Sequence, residues 1–154
     1  MINHTQLRQH VIRPVLRELR LKNTEAAEEL LVLTACVESR CGYYLRQIAG
    51  PAMGIFQMEP ATHKDLWDNY LAFHPELAEI VQRMAVTCQA DEMVWNLNYA
   101  TAMARIHYWR VKHPLPDTSN TRGLAQYWKA HYNSYLGRGN VDDAIQAYRN
   151  HTAI

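Results

Sequence analysis

The chain reads as a mainly α-helical single domain over residues 1–154, and three observations carry that reading. Apolar residues recur at three- and four-residue spacing along nearly every segment, the period of a helix with one buried face. The 154 residues, 48% apolar and 20% charged, hold no repeat, no low-complexity stretch and no linker long enough to separate domains. The helical pattern fails only between Gly42 and Pro60, where Gly42, Gly50, Pro51, Gly54 and Pro60 crowd together.

A first helix is expected over residues 6–21, with Leu7, Val11, Val15, Leu16 and Leu19 on one side and a kink at Pro14. A second begins after Asn23 or Thr24 as N-cap, with acids in its first turn, and stops near Gly42. The Gly- and Pro-punctuated segment that follows is expected to be irregular or a short β-hairpin, its glycines letting backbone approach a ligand. Helices resume over residues 61–73, 75–88 and 91–112; the last places Met93, Leu97, Ala100, Ala104, His107 and Val111 near helical spacing. A polar loop over residues 113–120 precedes a helix over residues 121–132. Gly137 and Gly139 mark a turn, and Asn140 caps a final helix from Val141, with Asp142 and Asp143 at its positive end.

Composition excludes several classes of function. A net charge of +1 gives no basic field for nucleic acid, and no recognition helix is basic. No apolar run approaches the roughly 20 residues of a membrane span, so no membrane insertion is expected. The opening Met1-Ile2-Asn3-His4-Thr5-Gln6 lacks a signal-peptide pattern, which predicts synthesis into a cytoplasm. Three cysteines, Cys36, Cys41 and Cys88, are an odd number without metal-ligand spacing, and reduced, largely buried thiols are expected. Eight histidines invite a metal, but no His-Glu-x-x-His cluster exists, so neither zinc nor another cofactor is expected.

Glu38 decides whether this is an enzyme or only a helical domain. Thr34, Leu31, Leu30 and Ala27 precede it by four, seven, eight and eleven residues, forming with Val37 and Cys41 one apolar stripe. The opposite face carries Glu25, Glu28, Glu29 and Arg40, which read as solvated. An unpaired carboxylate on an apolar stripe costs several kcal/mol, and it escapes by holding its proton. That is a general acid. Spacing alone equally allows Glu38 to reach water at the helix end or to pair with Arg40 or Arg46.

Glu38-Ser39, followed by Gly54-Ile55-Phe56-Gln57-Met58-Glu59-Pro60-Ala61-Thr62, resembles the signature of the soluble lytic transglycosylases. That signature is a Glu-Ser at a helix end, then a Gly-Leu-Met-Gln-like run and Pro-Ala-Thr. Asn96-Leu97 with Ala100 is similar to the family's Asn-Ile-x-x-Gly helix, with Ala for Gly. Ala130-His131-Tyr132-Asn133 is similar to its Ala-Tyr-Asn-Ala-Gly segment, with His131 interposed and Ser134 in place of Ala. Order and rough spacing agree over about residues 25–140; the first pair is fairly specific in combination, the later two weak alone.

The resemblance implies a lysozyme-like domain of the goose-type branch with a glycan cleft, acting on peptidoglycan strands between N-acetylmuramic acid and N-acetylglucosamine. The compact format is similar to bacteriophage-encoded cell-wall lytic proteins. These wait in the host cytoplasm for a holin-made lesion, or ride in the virion. A monomer is expected. On the same resemblance Glu38 is the catalytic acid, and Ser39, Gln57, Met53, Phe56, Asn96, Tyr132 and Asn133 are candidates to bind substrate.

Each supporting residue also has a plainer reading: Ser39 as a helix-end cap, Gln57 as a backbone partner in its loop. Tyr132 also reads as a core aromatic, and Trp67, Trp95, Trp109 and Trp128 could stack on sugar rings, although tryptophans at helical spacing are more often core. Hydrolysis of a glycoside normally takes two carboxylates. No Asp or Glu lies between Glu38 and Glu59, which favours transglycosylation with one carboxylate over hydrolysis; Glu59, Asp65 and Asp68 remain possible second acids. The rivals are a goose-type muramidase and a non-catalytic glycan-binding module.

Overall fold

The computed structural model describes residues 1–133 and 137–153, and among these it is mainly α-helical with no β-strand. Its centre is α3, Thr24–Ser39, whose residues Leu30 to Cys36 are all buried, so the helix is enclosed on every side rather than along one stripe. It packs against α2 (Arg13–Leu19), α7 (Leu97–Trp109), α8 (Thr121–Trp128) and α9 (Val141–Thr152). Glu28 and Glu29 are therefore not solvated. Glu28 accepts from Arg13 at 2.8 and 3.0 Å and from Arg8 at 3.2 Å; Glu29 accepts from Arg8 at 2.8 Å and from the Tyr148 hydroxyl. Burial alone would raise the Glu28 carboxyl, but its two guanidinium partners hold it below the ordinary range.

Residues 4–19 form one helical rod, in which α1 (His4–Leu7) leads through a π-helical turn at Arg8–Ile12 into α2. Pro14 has no N–H to offer the preceding turn. The rod widens ahead of it, the Arg13 N–H reaching back to the Arg8 carbonyl. Asn23 sits in left-handed backbone at φ 61° and its side chain caps nothing, so the expected N-cap contact of α3 is not made. The helix ends through consecutive left-handed residues Arg40 (φ 52°) and Cys41 (φ 53°), with the Cys41 N–H on the Ala35 carbonyl at 2.9 Å, as in a Schellman turn.

The segment after α3 is irregular, held by isolated bridges of Met53 to Arg46 and to Met58. Beyond it lie α4 (Pro60–Asn69), a 3₁₀ turn at Leu71–Phe73 and α5 (Pro75–Met84). The helix expected over residues 91–112 is broken into α6 (Glu92–Trp95) and α7 by extended Asn96 (φ −106°, ψ 96°). Asn96 caps α7 by accepting from the Tyr99 N–H, and its amide donates to Glu92 at 2.7 Å and to the Met84 carbonyl at 2.9 Å. Helix α8 ends in a π-helical turn, Lys129–Asn133. Asn140 caps α9 as expected, accepting from the Asp143 N–H at 2.9 Å. No helix among the described residues is long and apolar enough to cross a membrane.

Glu92 is fully buried, yet ionised. Burial pushes its pKa up, but the N–H groups of Val86, Thr87 and Cys88, the Thr87 hydroxyl and the Asn96 amide, all within 2.9 Å, bring it down to about 2. A depressed carboxyl stabilises the fold above its ordinary 4.5, and that contribution is lost as pH falls toward 2. Glu92→Gln should cost about 2–4 kcal/mol in urea denaturation at pH 7. The deficit should shrink between pH 4.5 and 2.

Candidate active site

A cavity of about 1200 Å³ opens beside the end of α3. That exceeds the ~300–1,000 Å³ typical of small-molecule pockets. Glu38, Gln57, Tyr132 and Asn133 line it, as do Glu59 and Trp128. The helix end supplies Glu38, the irregular loop Gln57, and the π-helical turn after α8 Tyr132 and Asn133.

Glu38 forms no ion pair among the described residues, neither with Arg40 nor with Arg46. Its oxygen accepts a hydrogen bond from the Trp128 indole N–H at 2.8 Å. Burial raises its pKa to about 7, partly offset by that indole hydrogen bond, which favours the carboxylate. A side chain near pKa 7 can both give and take a proton at neutral pH.

The loop facing Glu38 is fixed by two hydroxyls. Ser39 donates to the Ile55 carbonyl at 2.6 Å, with the Ala35 carbonyl at 3.2 Å, and accepts from the Gly42 N–H at 2.8 Å. Tyr132 donates to the Phe56 carbonyl at 2.6 Å while its ring stacks on Tyr108 at 5.1 Å. Met53 and Met58 exchange both backbone hydrogen bonds, closing a tight turn in which Gln57 stands at φ 48°. Only glycine fits at position 54: φ is 80° and a Cβ would lie 2.3 Å from the Met93 carbonyl oxygen. The Gln57 amide donates to the Gly54 carbonyl at 2.8 Å, so the plainer reading of that residue and its place on the cavity are both realised.

The other candidates lie elsewhere. Ser39 is completely buried and its hydroxyl is occupied on both sides, so it holds the loop and does not reach a substrate. Phe56 is core, touching the site only through its carbonyl. Met53 packs on the core without lining the cavity. Asn96 belongs to the Glu92 cluster, away from Glu38. Of the four tryptophans, Trp128 alone lines the cavity; Trp67 donates to the Tyr99 hydroxyl, and Trp109 lies under Arg105.

What sequence reasoning missed is that Trp128, weighed only as core or as a sugar-stacking ring, is the hydrogen-bond partner of Glu38. Its position one helical turn before Tyr132 was the available signal. Gly139 seats it, since a Cβ there would come within 2.5 Å of the indole ring. His107 also lines the cavity; burial and the nearby Arg110 charge push its pKa down to about 4, so it is neutral. Among the acids weighed as partners of Glu38, Asp65 is bound to Arg110 at 2.6 Å and to Asn69 at 2.7 Å, and Asp68 to Lys64. Glu59 alone of those three lines the cavity, and it is exposed. Among the described residues no group of three His, Cys, Asp or Glu could hold a metal ion.

Comparison with protein-family models, with curated proteins and with solved structures found no match.

Raised above 4.5, the Glu38 carboxyl contributes stability that is full at low pH and lost as pH rises through about 7. Glu38→Gln keeps an acceptor for Trp128 and removes the buried charge. It should unfold at higher denaturant than wild type above pH 7, by as much as about 3 kcal/mol, with the gap closing below pH 4.5.

Proposed function

We propose that the chain is a lysozyme-like lytic transglycosylase of bacterial cell walls, in which one carboxylate, Glu38, cleaves the β-1,4 bond between N-acetylmuramic acid and N-acetylglucosamine. The observation that carries this reading is a largely buried carboxyl with a pKa of about 7, facing a cavity large enough for a glycan. The resemblance of Glu38-Ser39 and the Gly54–Thr62 run to the transglycosylase signature points the same way.

Glu38 enters the reaction protonated and gives its proton to the glycosidic oxygen as the bond to C1 breaks. The leaving N-acetylglucosamine departs with a free hydroxyl. Positive charge spreads over C1 and the ring oxygen, and the new Glu38 carboxylate faces it while accepting the Trp128 N–H. The muramic C6 hydroxyl then closes on C1 and returns its proton to Glu38. The product is a 1,6-anhydro sugar, no water is consumed, and the acid is regenerated. Gln57, Tyr132 and Asn133 border the same space and are placed to position the sugar. No cofactor takes part. Such an enzyme would serve a bacteriophage in host lysis or in the virion, with peptidoglycan as its partner.

A second reading, a goose-type muramidase, is favoured by one observation: Glu59 lines the cavity that holds Glu38. A carboxylate there could activate water. Mass spectrometry of digested peptidoglycan separates the two. Transglycosylation gives anhydro-muramic ends, and Glu59→Gln keeps most activity; hydrolysis gives reducing ends, and Glu59→Gln abolishes it. Glu38→Gln should lose about 10²–10⁴-fold in lytic rate. Clearing of a purified cell-wall gel by wild type excludes a glycan-binding module, and near wild-type clearing by Glu38→Gln would sink the assignment.

The pH profile tests the indole contact. Activity that needs protonated Glu38 declines as pH rises through about 7. Removing the Trp128 N–H destabilises the carboxylate, so Trp128→Phe should move that alkaline limb to higher pH. A limb left in place would show that the indole does not bear on the acid.

A further inference from the structure

We propose that Cys36 and Cys41 are a dithiol that closes to an intramolecular disulfide, a covalent staple across the turn of α3 that carries Glu38. Their sulfurs lie 3.1 Å apart and both side chains are completely buried. A disulfide needs about 2.05 Å, so roughly 1 Å of approach completes the bond. The fold prepares the contact: the left-handed pair Arg40 and Cys41 turns the chain back over the helix, and the Cys41 N–H is fixed on the Ala35 carbonyl at 2.9 Å. The two thiols share a hydrogen-bond contact, which holds the Cys41 thiol below its ordinary pKa and makes it the better nucleophile.

The oxidant is a small-molecule disulfide such as oxidised glutathione. The Cys41 thiolate attacks one of its sulfurs and expels one glutathione thiolate. The Cys36 thiol then loses its proton and attacks Cys41, expelling the second. Two electrons pass from the cysteine pair to the oxidant, leaving one protein disulfide and two molecules of reduced glutathione. The first residues lie against this turn: the Ile2 N–H is bonded to the Cys41 carbonyl at 2.7 Å and the Ile2 side chain lies beside Gly42. On this proposal the oxidant reaches the pair when these first residues lift away, with α3 intact. The pair is thus reduced in a glutathione-poised cytoplasm and closed in an oxidising compartment. Cys88 lies apart and only partly buried, and serves as an internal reporter of oxidation.

The test is incubation of the intact native protein with oxidised glutathione, followed by alkylation of free thiols and tryptic mapping. Cleavage after Arg40 separates the two cysteines, so closure appears as residues 23–40 joined to 41–46 by a reducible bond. The expected result is that linkage without a glutathione adduct on either cysteine, and a melting temperature raised by about 4–8 °C. Glutathionylation of Cys88 with Cys36 and Cys41 still alkylatable, after incubation long enough for the N-terminus to open, would overturn the proposal. Linkage with no rise in melting temperature would overturn the staple. The Cys88→Ser variant, tested in parallel, should link identically; linkage lost with Cys88 would assign the chemistry to that thiol. The readout is independent of any lytic activity.

Discussion

Burial of the Glu38 carboxyl, eased by a single indole N–H, is the constraint on which the site depends. A carboxyl pushed to about 7 is destabilising in its charged form, and it persists only where the surroundings cannot relax to let water in. Helix α3 provides that rigidity. Its residues from Leu30 to Cys36 are buried, and Arg8 and Arg13 hold its first half through Glu28 and Glu29. Its last turn therefore presents Glu38 from a fixed base.

A connected set of contacts joins that base to the opposite wall. The Thr34 and Tyr108 hydroxyls meet at 2.8 Å, Tyr108 stacks on Tyr132, and Tyr132 donates to the Phe56 carbonyl. Ser39 reaches the adjacent Ile55 carbonyl. The loop carrying Gln57 is thus pinned from the helix that carries the acid and from the turn that follows Trp128. The phenol groups of Tyr108 and Tyr132 are pushed well above their ordinary pKa by burial, so both stay neutral donors while Glu38 changes charge. Several motif residues that look like substrate contacts in a linear reading belong to this scaffold.

Much of the helical fold was legible because local signals set it. The apolar spacing before Glu38, the Gly- and Pro-rich break after it and the Asn140 cap all act within a few residues, and each appears near its expected place. What was not legible depends on partners far along the chain. Trp128 meets Glu38 across ninety residues, and periodicity says only that such a tryptophan faces inward. Charged residues misled for the same reason. Glu28 and Glu29 read as solvated because their partners, Arg8, Arg13 and Tyr148, lie outside their helix; Glu92 gave no sign of the four donors gathered by the turn before it or of the Asn96 amide after it. Asn96 was a substrate-binding candidate only through a resemblance of its segment, yet it breaks one long helix into two and holds Glu92.

The central claim is that Glu38 carries its proton near neutral pH. Carbon-13 NMR titration of the Glu38 side-chain carboxyl, assigned by comparison with Glu38→Gln, measures this directly and in the absence of any substrate. A midpoint near 7 is the result the structure predicts. A midpoint at the ordinary 4.5 would mean that the carboxyl is open to water and is no acid at the pH where a cell wall would be cut.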